Sequence, residues 1–179
     1  MRYFLLLAML YISPSWAFNV DICYNYDCAV HAKVNLTAKQ MRNVGTLFRK
    51  VRTPQQEREA IAQAMAVLEK YAALQTPTGN DKGGNVNDDG VDGRMDCIDH
   101  AHNTTAYLQL LRQFGWLAFH DIRGSVERAP LILNAHWGAE IMEYGTGSKF
   151  VVDTWFRDNG APAVIYPLDD WLHGASPDE

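Results

Sequence analysis

Helical and strand patterns occupy separate parts of this chain, and their order limits the folds that it can adopt. Two segments with helical spacing of apolar residues, at about 37–51 and 53–74, precede a Gly/Asn/Asp-rich stretch at 76–95. A third helical segment follows at about 97–114, and the rest of the chain has the pattern of short strands. Helices followed by consecutive strands favour an α+β domain with an antiparallel sheet.

Three capping signals set the expected helix starts. Thr37 with Gln40 and Thr53 with Gln56 are spaced as capping boxes, in which each side chain bonds the backbone of the other residue. Asp96 is a suitable N-cap for the third helix. These signals predict that the three helices begin close to residues 38, 54 and 97.

Four later segments combine aliphatic and aromatic residues and are separated by Gly, Pro or charged turns. We predict strands at 116–122, 131–142, 149–156 and 163–166, and a short helical turn at about 168–172. Residues 19–33 are expected to form an irregular or extended N-terminal arm. No repeat or linker divides the sequence, so residues 18–179 are expected to form a single domain.

The first 17 residues have the features of a secretory signal peptide. Arg2 gives a positive start, residues 3–12 are apolar, and residues 15–17 form a small-x-small cleavage site. The apolar stretch is shorter than the roughly 20 residues that span a membrane. We therefore expect removal of residues 1–17, and an extracytoplasmic protein without a membrane anchor, periplasmic in a Gram-negative bacterium. The alternative is an N-terminal core helix.

Composition excludes several classes of protein. Hydrophobic residues make up 47% and charged residues 21% of the 179 residues, which is typical of compact domains and not of disordered chains. The formal charge is −5 and the basic residues form no run. Nucleic-acid binding is therefore not expected.

The three cysteines divide into a close pair and a single residue. Cys23 and Cys28 are close enough in sequence to close a small disulfide loop in an oxidising compartment, although a reduced pair is the alternative. Cys97 is then the free thiol, either reactive or simply buried. At the start of a helix the positive end of the dipole favours a thiolate, whereas Asp96 and Asp99 disfavour a further negative charge.

A cysteine nucleophile needs a base, usually histidine, and a group that orients the imidazole. His136 and Asp153 lie in apolar segments that we expect to be neighbouring strands of one sheet. Each could also be an ordinary core or strand-end residue. A tight turn at Thr146-Gly147 would place Asp153 opposite Glu140, so close approach to His136 requires a loop centred nearer Tyr144-Gly145, or a bulge.

The order of these residues resembles the transglutaminase-like superfamily, and is most similar to bacterial transglutaminase-like cysteine proteinases. The resemblance covers roughly residues 92–170. Its motifs are a helix-starting cysteine in Asp-Cys97-x-Asp, a strand with His136-x-x-x-Glu, and Asp153 seventeen residues after that histidine. It implies a papain-like core in which N-terminal helices and the nucleophile-bearing helix pack on an antiparallel sheet.

The resemblance also implies a chemistry. Cys97 would be the nucleophile, His136 the base and Asp153 the orienting carboxylate of an amide hydrolase that acts on a protein or peptide through a thioester, without a required cofactor. Acyl transfer to an amine is one alternative. A non-catalytic calcium-binding or interaction domain on the same fold is another.

The loop before Cys97 has the spacing of a calcium site. Asn85, Asn87, Asp89 and Asp96 stand at positions 1, 3, 5 and 12 of an EF-hand-like loop, with glycine at position 6. The alternative is a flexible acidic turn. A transition-metal site made by Cys97, His100 and His136 is a further, weaker hypothesis.

Overall fold

The computed structural model describes residues 17–84, 86–129 and 135–177. The expected signal peptide, apart from Ala17, lies outside the described residues. Within these ranges the chain mixes helices with antiparallel strands, so the predicted α+β class is confirmed. The strands are β1 (Ala17–Tyr24), β2 (Val30–Thr37), β3 (His120–Arg128), β4 (His136–Glu143), β5 (Lys149–Asp153) and β6 (Val164–Pro167); the helices are α1 (Ala38–Thr46), α2 (Pro54–Ala73), α3 (Cys97–Gln113) and α4 (Leu168–Leu172).

The N-terminal arm is more regular than the sequence predicted. Strands β1 and β2 form an antiparallel hairpin in which Cys23 pairs with His31. Alternate side chains such as Val20, Ile22 and Val34 are buried, and this period of two is the signal for a strand. The turn contains no glycine, and for that reason the hairpin is hard to detect in the sequence.

The second sheet has the strand order β3-β4-β5-β6 and is antiparallel throughout. Its first strand was placed too early in the sequence, because it begins at His120 and continues through the polar segment to Arg128. As an edge strand it alternates between partly buried and exposed residues, so charged side chains are accommodated there. The other strands overlap their predicted segments, and residues 131–134 of the second prediction lie outside the described residues.

The predicted helix starts are confirmed. Thr37 and Gln40 form a capping box at α1, and Thr53 accepts the backbone N–H of Gln56 at α2. The Gln56 side chain accepts the N–H of Arg52 instead of closing a box with Thr53. Helix α1 ends at Thr46 and not near residue 51 as predicted. The chain continues in turns over residues 47–50.

Helix α3 is the element that both sheets share. It lies against β4 on one side and against the β1–β2 hairpin on another. Residues Ala101, Thr104, Leu108 and Leu111 are all buried, as the predicted apolar stripe requires. Cys97 stands at the start of that stripe, so the helix presents its first residue to the edge of the core.

No helix in the described ranges is long and apolar enough to cross a bilayer.

The Cys23–Cys28 disulfide is present and Cys97 is free. A disulfide fits an extracytoplasmic, oxidising compartment.

The capping box of α1 gives a first testable prediction. Replacing Thr37 by alanine removes the acceptor for the Gln40 N–H and should lower the free energy of unfolding by about 1 kcal/mol. Urea denaturation measures the change. Lys39→Ala, at an exposed position of the same helix, should alter stability by less than about 0.5 kcal/mol. Equal effects of the two substitutions would contradict the assigned role of the cap.

Candidate active site

The candidate nucleophile Cys97 lies at the N-terminus of α3. Cys97 is its first residue and is partly buried. The Asp96 side chain accepts the N–H groups of Ile98 and Asp99, each at 2.9 Å. The N–H of Cys97 itself is left at the open end of the helix, where it can donate to a negatively charged oxygen.

His136 and Asp153 are brought together by the β4–β5 register. His136 Nε2 lies 2.7 Å from Asp153 Oδ2. Cys97 is close enough to the imidazole for hydrogen bonding and charge to raise the pKa of His136. Because Nε2 faces the carboxylate, Nδ1 is the ring nitrogen left for the thiol. The structure thus brings Asp153 into contact with His136 and places Cys97 near the same imidazole.

The strand register explains why this contact is possible. Ala139 pairs with Val152, so continuing the ladder by one residue places Asp153 opposite Gly138. His136 is then two residues further along and on the same face of the sheet. The turn is centred between Gly145 and Thr146, as the pairing of Met142 with Lys149 shows, and not at Thr146-Gly147.

Glycine is required at position 138 for a different reason. A Cβ atom there would lie 2.4 Å from Cγ1 of Val151, on the adjacent strand. The Trp171 ring lies 3.4 Å from the same point, which is an ordinary contact. Gly138 is therefore explained by the close approach of Val151.

Asp153 is held by two further donors. Its Oδ2 accepts the indole N–H of Trp171 at 2.9 Å, and its Oδ1 accepts the backbone N–H of Trp155 at 3.1 Å. The carboxylate is only 1% exposed. These donors hold the carboxylate in the orientation in which it faces the imidazole.

These contacts favour the protonated form of His136. Burial lowers the pKa of the imidazole, but the hydrogen bonds to Asp153 and Cys97 and the negative charges of both residues outweigh it and raise the pKa to about 9. An imidazolium at neutral pH stabilises a neighbouring thiolate. The raised pKa keeps His136 protonated at neutral pH, with its positive charge next to Cys97.

Aromatic rings enclose the imidazole. The ring centroids of Trp155, Phe156 and Trp171 lie 4.9, 5.3 and 5.6 Å from that of His136. Arg128 lies over the Trp171 ring at 4.7 Å and donates to the backbone carbonyl of the same residue. These contacts restrict the imidazole to one orientation and limit its contact with water.

A second layer of buried polar residues supports the site, and sequence reasoning missed it. His100 lies 2.8 Å from the Thr154 hydroxyl through Nδ1 and 3.1 Å from Asp81 through Nε2. Asp81 also accepts the N–H of Met95, and buried Glu69 hydrogen-bonds with Thr154. Both nitrogens of His100 are engaged, which leaves none for the metal site hypothesised with Cys97 and His136.

The residues of the hypothesised calcium loop have different environments. Asn85 lies outside the described residues, and the side chains of Asn87 and Asp89 are exposed. Both carboxylate oxygens of Asp96 accept backbone N–H groups, Oδ1 within α3 and Oδ2 from Asp27 at 2.9 Å. Calcium binding by Asn85, Asn87, Asp89 and Asp96 stays a prediction.

Comparisons of the chain with protein-family models, curated proteins and solved structures find no match. The basis for a functional proposal is therefore the geometry of Cys97, His136 and Asp153.

Proposed function

We propose that the protein is an exported cysteine-dependent amide hydrolase with a transglutaminase-like core. The observation that carries this proposal is the 2.7 Å bond between His136 and Asp153, together with the proximity of Cys97 to the same imidazole. A nucleophile, a base and an orienting group in contact are the requirements of covalent acyl transfer. The placement of the cysteine on a helix start and of the other two on adjacent antiparallel strands supports the proposed core.

The reaction follows from the roles of these groups. The Cys97 thiolate attacks the amide carbonyl carbon, and the oxyanion accepts the N–H of Cys97. The imidazolium of His136 gives its proton to the departing amine as the C–N bond breaks, which leaves a thioester on Cys97. Neutral His136 then takes a proton from water, whose hydroxide attacks the thioester and releases the acid and the thiolate.

The proposed substrate is a protein or peptide amide outside the cytoplasm, in the periplasm where the source is a Gram-negative bacterium. The chemistry uses no cofactor in this proposal. Measuring the products with a protein substrate distinguishes the reaction types: new amino termini report peptide-bond hydrolysis, ammonia reports side-chain deamidation, and incorporation of an added primary amine reports transamidation. Cys97→Ser is the control that should remove all three.

Alkylation of Cys97 by iodoacetamide tests the proposal without knowledge of the substrate. An ordinary thiol, with a pKa of about 8.5, should react roughly 200 times more slowly at pH 6 than at pH 9 because so little of it is thiolate. For the wild type we expect the two rates to differ by less than about fivefold, since His136 is protonated at pH 6 and pairs with the thiolate.

The histidine variants complete this prediction. His136→Ala should restore the steep dependence of an ordinary thiol, whereas His173→Ala, at an exposed position after α4, should leave the wild-type profile unchanged. Mass spectrometry identifies the labelled residue. A wild-type profile as steep as that of an ordinary thiol would exclude the proposed ion pair and the hydrolase with it.

A further inference from the structure

The turn of the N-terminal hairpin has an unusual backbone. Four consecutive residues, Asn25, Tyr26, Asp27 and Cys28, have φ values of 70°, 66°, 50° and 52°. Residues other than glycine rarely adopt this left-handed region, and a run of four is costly unless other contacts hold it. Successive N–H groups in a tight turn can converge on an anion.

The anions in this turn are the two carboxylates beside Cys97. Asp99 accepts the backbone N–H groups of Tyr26 at 2.8 Å and Cys28 at 2.7 Å, and Asp96 accepts that of Asp27 at 2.9 Å. Asp99 also accepts the N–H of Asp96 at 3.2 Å, and the Cys23 sulfur lies 3.6 Å from it. The turn therefore surrounds both acidic neighbours of the thiol with donors.

Three sets of contacts hold the turn in its shape and position. The Cys23–Cys28 disulfide closes it. The Asn103 side chain bonds both the N–H and the carbonyl of Cys23 at 2.8 Å. The Asn25 N–H donates to the carbonyl of Arg94 at 2.7 Å, and the Asn25 side chain accepts the N–H of Gly93 at 2.8 Å. The turn is thus tied to the helix start and to the segment leading into it.

These contacts involve the two carboxylates whose charge disfavours a thiolate at Cys97. Asp96 and Asp99 carry negative charge one residue before and two residues after Cys97, and like charge disfavours a thiolate. Burial and the charge of Asp96 raise the pKa of Asp99, while the N–H groups of Cys28, Asp96 and Tyr26 lower it. The donors therefore hold both carboxylates in place around the turn and fix the first turn of α3, on which Cys97 lies.

We infer that the disulfide-closed turn 23–28 is a positioning device for Cys97, and that it makes the reactivity of this thiol depend on the Cys23–Cys28 bond. The inference deepens the proposed function and rests on it. A dithiol reductant would deliver two electrons and two protons to the disulfide, leaving two thiols and becoming a disulfide itself. The turn would then relax, so the hydrolase would be active in an oxidising compartment and weak in a reducing one.

The test compares the wild type with the double variant Cys23→Ser/Cys28→Ser, in which Cys97 is the remaining thiol. We expect the ratio of the iodoacetamide alkylation rates at pH 6 and pH 9 to fall at least tenfold in the variant. Val34→Ala, a buried change in β2 away from the turn, is the matched control and should keep the wild-type ratio. A general loosening of the hairpin would affect both variants.

A second variant covers the case in which the double variant does not fold. Asn25→Ala keeps the disulfide but removes the side-chain bonds to residues 92 and 93, and should lower the same ratio at least threefold. An unchanged ratio in a folded double variant, or in Asn25→Ala, would overturn the inference while leaving the hydrolase intact. A wild-type ratio like that of an ordinary thiol would instead remove the hydrolase, and with it the positioning role that rests on it.

Discussion

Replacing Asp153 by asparagine is expected to lower the ratio of Cys97 alkylation rates at pH 6 and pH 9 by about tenfold or more. The hydrogen bond and charge of Asp153 are the main causes that favour the His136 imidazolium, and burial acts against it. Without the carboxylate, burial lowers the pKa of the imidazole with less opposition, so the neutral form is favoured and the thiolate loses its counter-charge. Asparagine has the same shape and can still accept from Trp171 or from the Trp155 backbone, so the fold should persist.

Asp170→Asn is the matched control for this prediction. Asp170 is exposed, lies in α4 next to Trp171, and carries the same charge as Asp153. Its replacement changes the net charge equally and should leave the alkylation profile unchanged. A profile that shifts as much in Asp170→Asn as in Asp153→Asn would mean that long-range charge, and not the bond at 2.7 Å, governs His136.

The helix-starting cysteine could be predicted because its signals are local. Asp96 is an N-cap by residue type, and the buried stripe that contains Ala101 and Leu108 follows from a period of 3.6 residues. Both are properties of one helix and need no knowledge of its neighbours. The same holds for the cap at Thr37, which the structure has as predicted.

The contact between His136 and Asp153 depends on information that a strand pattern does not contain. A shift of one residue in the β4–β5 register would move one of the two side chains to the other face of the sheet. The register depends on the turn at Gly145-Thr146, whose sequence allowed more than one centre. Sequence could therefore identify the pair but not their distance.

The supporting residues were not predictable because their signals are tertiary. Asp81 lies in a Gly/Asn/Asp-rich stretch where aspartate is an ordinary turn former, and only the fold buries it beside His100. Glu69 lies on an otherwise regular helix, and its burial follows from packing against the loop at Gly160. The hairpin turn at residues 23–28 was not predictable for the same reason. Its backbone N–H groups acquire a role only when the fold places Asp99 beside them.

Glu69→Gln is expected to make the protein more stable above pH 7 than the wild type. Burial raises the pKa of Glu69 from near 4.5 to about 7, against the opposing effects of His100 and the Gly160 N–H. Between these pH values the native state holds a proton that the unfolded chain has lost, so stability falls as the pH rises. One pKa unit corresponds to about 1.4 kcal/mol, which makes the loss about 3 kcal/mol.

The pH dependence distinguishes this effect from a simple change in packing. The groups that face Glu69 are the His100 and Asp81 charges, the Thr154 hydroxyl and the Gly160 N–H, and glutamine can still accept from the last. The stability difference between Glu69→Gln and the wild type, measured by urea denaturation, should therefore grow as the pH rises from 4.5 to 7. The stabilisation that comes from protonated His136 is also lost between pH 6.5 and about 9. This loss occurs in both proteins, so it cancels in the difference between their stabilities. Glu59→Gln, exposed on the same helix, should show no such growth; a difference that is independent of pH would contradict a buried carboxyl that titrates near neutrality.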